Sequence, residues 1–331
     1  MNPRSAVPLI AAVLLAPALA ACGGSQSALS AGGPEADRIL VLTWVLFIGG
    51  AIIMVATTAL AVAAIYGRAP VRRWLSREAI VTAGGIVFPV VVLSALLAYG
   101  LLVLRAGGST PDDDALHISV VGEQWWWRVV YDDGAGGTFE MANEIRVPTG
   151  TPVVLTLTTA DVIHSFWVPR LAGKLDMIPG RANTLTFTAS EPGISRGQCA
   201  EYCGGAHALM AFNVVAMEPA DFDRWFEKES GPAEPPTGPA ERQGQLVFLS
   251  SGCGGCHAVR GSAASGRVGP DLTHLASRTS LAAGILPNNP EALSRWIVDN
   301  QHIKPGNLMP PYEIFNAGEL DALSSYLAGL E

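Results

Sequence analysis

Two apolar runs dominate the first third of the chain. Ile39 to Tyr66 and Ala79 to Leu104 contain no Asp, Glu, Lys, Arg or His, and each exceeds the ~20 residues that a helix needs to cross a bilayer. The pattern predicts a transmembrane hairpin over 39–104. Its connecting segment, Gly67 to Glu78, carries Arg68, Arg72, Arg73 and Arg77, which by the positive-inside rule puts the loop in the cytoplasm and both ends of the hairpin outside. The flanks agree, with Glu35 and Asp37 before the first run and Arg105, Asp112, Asp113 and Asp114 after the second. Pro89 within the second run is compatible with a membrane helix, where neighbouring helices satisfy the freed carbonyl.

From about Leu116 to Glu218 the pattern changes. Runs such as His117-Ile118-Ser119-Val120-Val121, Pro152 to Thr158 and Asn183 to Thr188 are separated by turn signals such as Asp133-Gly134 and Pro179-Gly180. They predict an all-β sandwich or barrel within a domain over 115–228. The Pro- and Gly-rich stretch Gly231 to Pro239 marks an extended, semi-rigid linker, assigned to 229–240. The remainder, 241–331, has helical edges: Glu241 to Ser251 approaches a cysteine pair, and Gly318 to Leu330 places Leu320, Leu323 and Leu327 near helical spacing. The fold class is therefore a multi-domain membrane protein.

A shorter apolar stretch, Ala6 to Ala21, follows Arg4 and leads to Leu19-Ala20-Ala21-Cys22. It is too short to span and reads as an export signal over 1–22. The tetrad resembles a bacterial lipoprotein box, which implies a lipidated Cys22 at the mature N-terminus; an ordinary cleaved signal with an incidental cysteine is the alternative.

Composition then narrows the function classes. Charged residues are 15% of the 331, against roughly 25% in an average soluble protein, and mean hydropathy is +0.32, so part of the chain belongs in lipid. A net charge of −8 offers no basic face to a phosphate backbone, which excludes nucleic-acid binding and favours cationic partners. The five cysteines, at positions 22, 199, 203, 253 and 256, are an odd number, and in an exported chain each thiol needs an account.

Cys199-Ala200-Glu201-Tyr202-Cys203 is followed by His207 and Met210, while His164 lies far upstream behind a hydrophobic strand. Two thiolates, two imidazoles and a thioether are soft to borderline donors, suited to copper or zinc and ill suited to calcium or magnesium. A closed Cys2His2 zinc site needs only four of them. Met210 counts against zinc, and the full set suffices for two metals if the thiolates bridge. A Cys199–Cys203 disulfide, or Met210 as a core residue, are plainer readings that leave His164 and His207 unexplained.

Around these donors the sequence resembles cytochrome c oxidase subunit II. The likeness covers the hairpin and the β domain. It centres on Asp161-Val162-Ile163-His164-Ser165-Phe166-Trp167-Val168-Pro169, on Lys174, Asp176 and Ile178-Pro179-Gly180-Arg181, and on Gly197-Gln198-Cys199 through Cys203-Gly204-Gly205-Ala206-His207. The resemblance implies a cupredoxin fold with a binuclear CuA copper centre. Cys199 and Cys203 would bridge both coppers, His164 and His207 would bind one each, and Met210 and the backbone carbonyl of Glu201 would complete the shells. It also implies that the Glu201 side chain reaches a magnesium ion at the interface with subunit I. The motif Gly122-Glu123-Gln124-Trp125-Trp126-Trp127 matches the family too, and implies that electrons enter at Trp125. Strand alternation puts Trp125 and Trp127 on one face and Trp126 on the other, and tryptophans more commonly serve as core or membrane-interface anchors.

Cys253-Gly254-Gly255-Cys256-His257 is the C-x-x-C-H pattern that attaches a c-type haem through two thioethers, with His257 as proximal ligand. A thioredoxin-like redox pair competes, but it needs a βαβ context and these flanks look helical. Downstream, Gly269-Pro270-Asp271-Leu272 and Asn307-Leu308-Met309-Pro310 resemble a class I cytochrome c. That implies an all-α fold over 241–331, haem c, and Met309 as distal ligand; His/Met ligation raises the potential. His274 and His302 are rival distal ligands, and His274, soon after the Pro-Asp-Leu turn, reads as surface.

All six histidines follow the second apolar run, so this chain alone cannot ligate a haem within the bilayer. The joint resemblance is to subunit II of a caa-type oxidase, multi-pass in a bacterial plasma membrane, with copper and haem domains on the periplasmic side. It implies subunits I and III as partners, subunit I holding haem a and the dioxygen site. The donor it implies is a cytochrome c, fused or soluble, or an upstream quinol-cytochrome c reductase. The activity it implies is reduction of dioxygen to water coupled to proton pumping. One departure matters. The family often has a glutamate about two turns before the proline of the second helix; here Thr82 stands in that neighbourhood, and Glu78, the nearest carboxylate, is a candidate for the proton entrance or a snorkelling boundary residue. Two other classes fit part of the pattern: the electron-input subunit of a nitric oxide reductase, and a copper-binding or delivery module, which has no use for covalent haem.

Overall fold

The computed structural model describes residues 23–107 and 114–331; the export segment 1–22 with Cys22, and Asp112 and Asp113, lie outside the described residues. The membrane unit holds α1 (Pro34–Tyr66), α2 (Ala69–Leu75), α3 (Glu78–Thr82), a π-helical turn (Ala83–Val87) and α4 (Phe88–Gly107). The spans Pro34–Tyr66 and Glu78–Arg105 have mean hydropathies of 2.7 and 2.6, and leave residues such as Phe47, Ile52, Leu93 and Leu97 exposed, as lipid-facing helices do. The π turn ends two residues before Pro89. Proline lacks an N–H and its ring crowds the carbonyl one turn earlier, and widening the turn relieves both. Helix α2 falls in the arginine-rich segment that the pattern reads as a loop; Pro70 in its first turn is pre-set for helix. Glu78 opens α3.

The β domain contains β1 (Leu116–Glu123), β2 (Trp126–Asp132), β3 (Thr138–Ala142), β4 (Glu144–Pro148), β5 (Pro152–Thr159), β6 (His164–Trp167), β7 (Leu175–Met177), β8 (Asn183–Thr188), β9 (Gly193–Cys199) and β10 (Ala211–Met217). They form two sheets, ordered β3-β2-β1-β5-β8 and β4-β10-β9-β6-β7. Alternate positions point inward, among them Trp127, Val129 and Tyr131 of β2, Val153, Leu155 and Leu157 of β5, and Phe212 and Val214 of β10. This is a cupredoxin-like sandwich. After the last strand, α5 (Pro219–Ser230) covers one end of it, burying Phe222 and Trp225 and setting Phe226 against Phe139 at 5.1 Å between ring centroids. The helix also carries regular structure into the stretch read as linker: Glu229 is buried within it. Residues 23–33 run along this domain. Arg196 N–H donates to Ser25 O at 2.7 Å, Gly32 N–H to Arg170 O at 2.6 Å, and Ser190 N–H to Gly32 O at 2.8 Å.

The C-terminal domain is built on α6 (Pro239–Ser250), α7 (Pro290–Ile303) and α8 (Ala317–Ala328) around Phe248, Ile297, Leu323, Tyr326 and Leu327. Helix α7, which the sequence reading did not single out, starts where the Asn289 side chain accepts from Ala292 N–H at 2.8 Å with Pro290 in the first turn. The β domain and the C-terminal domain are docked on each other. Buried Glu144 accepts from the backbone N–H and hydroxyl of Thr279 at 2.8 and 2.6 Å. Arg146 donates to Ser277 O at 2.6 Å and Arg196 to Gly284 O at 3.2 Å. Glu140 takes Arg128 from its own domain and Arg267 from the other, each at 2.5 Å.

Candidate copper and haem centres

One sheet and its end loops deliver the copper-type donors. His164 opens β6, Cys199 ends β9, Cys203 and His207 lie in the following loop, and Met210 sits one residue before β10. The Sγ atoms of Cys199 and Cys203 are 3.8 Å apart, far beyond the ~2.05 Å of a disulfide, and both thiols are free. His164 Nδ1 is 3.8 Å and Glu201 O 3.2 Å from Cys199 Sγ. His207 Nδ1 is 3.5 Å and Met210 Sδ 3.8 Å from Cys203 Sγ. The structure thus gives each thiol one imidazole and one weaker donor, a division that fits a pair of metals bridged by both sulfurs. His164, Cys199, Cys203 and Met210 are 0%, 2%, 3% and 0% exposed, while His207 is half-buried at the rim. The Glu201 side chain is exposed.

The electrostatics suit thiolate chemistry. The neighbouring Cys203, and then His164, hold the Cys199 thiol far below its usual range, whereas the same pairing and burial push Cys203 up. Metal binding to such a pair releases protons and gains affinity with pH. Burial pushes His164 down, but hydrogen bonds with Cys199 and Asp161 outweigh it. His164 Nε2 lies 2.8 Å from Asp161 Oδ1; an N–H donated there leaves Nδ1 as the ligating nitrogen. Close packing fixes the ring as well, since a Cβ at Gly122 would stand 2.8 Å from His164 Cδ2.

The tryptophan motif departs from strand alternation. Glu123 pairs directly with Trp126, so Gln124 and Trp125 form the two-residue turn between β1 and β2. Trp127 is fully buried, packed on Phe166 and Phe212 at 5.8 and 4.9 Å, and Trp126 lies under Arg128 at 4.7 Å. Trp125, on the turn, donates its indole N–H to Cys203 O at 3.1 Å, and the Gln124 amide donates to the same oxygen at 2.7 Å.

In the C-terminal domain, Cys253, Cys256, His257 and Met309 line one cavity, which also takes in Pro270, Trp296 and Asn307. His257 Nδ1 is 2.8 Å from Pro270 O; an N–H donated there leaves Nε2 toward the cavity, and burial pushes the imidazole pKa down, so the ring is a neutral donor. Two adjacent thiols, a neutral imidazole and a thioether on the walls of one apolar cavity fit a covalently held haem. The cavity is closed from the other side by Glu123, Gln124, Trp125 and Asp161 of the β domain. The rival ligands are placed elsewhere. His274 is 3% exposed, contrary to its surface reading, with its nitrogens 2.7 Å from Glu331 O and 3.2 Å from Gly231 O. The His302 side chain is 90% exposed and paired with Asp299.

Two residues at these sites were not assigned a role from sequence. Asp161 carried a signal, a carboxylate just ahead of a ligating histidine. Lys304 carried none. It is 3% exposed, its Nζ is 2.5 Å from Trp125 O, and burial pushes its pKa down to about 7.

Comparison with known proteins followed the same division. A family model described as the periplasmic domain of cytochrome c oxidase subunit II matches residues 132–217, and one described as cytochrome c matches residues 241–331. Cytochrome c oxidase subunit 2 of Alkalihalophilus pseudofirmus is 41% identical over 66% of this chain and 62% of its own. The subunit 2 proteins of Bacillus sp. and Bacillus subtilis are 36% and 34% identical, over 66% and 74% of this chain and 64% and 70% of theirs. The chain therefore spans less than two thirds of the length of the first two.

Proposed function

The chain belongs to the cytochrome c oxidase subunit 2 family, and from that premise we propose that it is the electron-input subunit of a haem-copper terminal oxidase, carrying electrons from its haem c domain through a binuclear copper centre to a haem of subunit I, where dioxygen is reduced to water with proton pumping. The family domains imply CuA and haem c, and the donor sets fit both. These groups, when bound, supply the one-electron chemistry. The protein's own residues hold and insulate them. Cys199, Cys203, His164, His207, Met210 and the Glu201 carbonyl would hold the copper pair, and Asp161 orients His164. On the haem side Cys253 and Cys256 would attach the haem, and His257, oriented by Pro270 O, and Met309 would ligate its iron.

The observation that carries this reading is the position of Trp125. Trp125 lines the haem cavity, and its indole N–H is bonded to the carbonyl of Cys203, a member of the copper donor set. A residue shared by both sites is a relay of the kind a wire requires. The periplasmic-domain family and the two apolar spans support a membrane-anchored protein with periplasmic metal domains. The finer assignment is multi-pass insertion in the bacterial inner membrane, with Cys22 as a lipid anchor. Subunits I and III are the partners, and a cytochrome c or quinol-cytochrome c reductase feeds the chain. The exposed Glu201 carboxylate is assigned to magnesium at the subunit I interface, and Glu78, at the head of the second span, to proton intake. Relatives named as oxidase subunits favour this reading over a nitric oxide reductase or a copper-delivery module.

The test is metal analysis of the purified full-length chain together with its copper EPR spectrum. Two coppers with a mixed-valence signature and one iron per chain are expected; a single zinc, or copper without covalent haem, would overturn the reading.

A further inference from the structure

Lys304 is out of place by ordinary rules. It caps the C-terminus of α7 in the haem domain, yet its side chain is buried between the two domains, where Nζ is 2.5 Å from Trp125 O and 3.3 Å from Ala282 O. No carboxylate forms an ion pair with it among the described residues. A buried amine without a carboxylate partner is costly to folding, and the contacts it makes to neutral carbonyls are within reach of an uncharged side chain.

Its surroundings show what the position serves. Behind Lys304 the chain is tied to the loop that bears Met309: the Asn307 amide donates to Lys304 O at 2.8 Å, and Asn307 Oδ1 accepts from Met309 N–H at 3.0 Å. Ahead of it is the backbone of Trp125, whose indole is bonded to Cys203 O. Gly306, at φ +80°, lies flat against the Trp125 ring; a Cβ there would stand 3.2 Å from Cη2 and 3.3 Å from Cζ3. Other interdomain bonds, among them Glu144–Thr279, Arg146–Ser277, Glu140–Arg267, Arg196–Gly284 and Ala211–Ala283, do not touch Trp125. They hold the domains together without fixing the tryptophan.

We propose that Lys304 is a positioning residue for electron transfer, clamping the Trp125 turn to the Met309 loop so that the indole keeps one distance to both metal sites. This rests on the function proposed above. The step it serves is a one-electron exchange: the haem iron is oxidised, the copper pair is reduced, and no bond or proton changes hands. Through-space transfer falls steeply with distance, so a loosened indole costs rate while leaving both potentials where they were.

The experiment uses the loaded full-length subunit in its oxidase complex. Haem c is photoreduced with a ruthenium dye and its reoxidation by the copper centre is followed, alongside redox titration of both centres. Hydroxyl-radical footprinting of Trp125 and Trp127 supplies a readout independent of turnover. Lys304→Met is expected to slow the transfer at least tenfold with both potentials, haem content and copper content unchanged, and to raise labelling of Trp125 severalfold but not of Trp127. Lys304→Arg should restore most of the rate. Gly306→Ala, which presses the ring from the other side, should slow transfer with Lys304 intact and serves as the deciding variant if Lys304→Met does not load haem. Unchanged rate and Trp125 labelling in Lys304→Met, or a slowed rate explained by a shifted potential, would overturn the proposal and leave the function standing. A wild-type subunit that transfers no electron from haem to copper would overturn the function instead.

Discussion

In the β domain, His164, Cys199, Cys203 and Met210 are at most 3% exposed and stand within 3.8 Å of their nearest partner donor. In the haem domain, Cys256 is exposed and Met309 half-buried on the wall of a cavity. The contrast has a physical root. A copper ion is smaller than a side chain, so strands can bring its donors together by ordinary core packing, and the site is nearly formed by the sheet. A haem is larger than any side chain, so its domain closes around the porphyrin as part of its core. The first site is preassembled by the protein; the second is completed by its ligand.

Four predictions test that contrast. Cys199→Ser has the largest effect, complete loss of the mixed-valence copper EPR signal with the β fold retained by circular dichroism, because one bridge is lost from a site whose scaffold does not depend on it. Loss of the sheet with the signal would erase the distinction between the sites. Met309→Ala comes next. The thioether-to-iron absorption band should vanish while haem stays covalently attached through Cys253 and Cys256, and a band that persists would assign the distal position to another residue. Asp161→Asn is gentler. It weakens the acceptor that orients His164, and should lower copper affinity by about 10–100-fold in competition with a chelator, with the haem spectrum unchanged.

The smallest effect lies between the domains. Burial pushes the Glu140 carboxyl up, but hydrogen bonds and charge from Arg267 and Arg128 outweigh it and hold the group below its ordinary value of 4.5. A carboxyl lowered in the folded state contributes stability above that ordinary value, and the contribution is lost as pH falls through the folded one. Arg267 is 75% exposed, so solvent screening limits its pair to ~1 kcal/mol or less. Between pH 6 and 3, Glu140→Gln should therefore flatten the fall of melting temperature slightly; an identical pH profile would remove Glu140 from the docking account.

Much of this was legible in the sequence because it is local. The spans followed from hydropathy, the strands from alternation, and the donors from their spacing in C-x-E-x-C and C-x-x-C-H. What escaped was either a competing local signal or a contact across the chain. Trp125 looked like a strand residue because three aromatics in a row read as alternation, yet the pairing of Glu123 with Trp126 turns it out of the sheet. Helix α5 was not singled out although Phe222, Trp225 and Phe226 have helical spacing, because the segment is short and falls between the last strand signal at Glu218 and the linker from 229. His274 read as surface because nothing near it in sequence announces the carbonyls of Glu331 and Gly231. Lys304 is the extreme case: its partner is Trp125, and only the folded chain brings the two together.

That last pairing redraws the boundaries of the molecule as a set of exchangeable parts. By sequence the haem domain is a cassette that begins after the proline-rich linker, and a swap with a relative's cassette would be cut there. The wall shared by the two metal sites belongs half to each, with Gln124 and Trp125 on one side and Lys304 and Gly306 on the other. A chimera joined at the linker would carry a complete haem and a complete copper site and still be mismatched at the junction. The smallest piece that can be transplanted intact is the haem cassette together with a two-residue turn lying more than a hundred residues upstream.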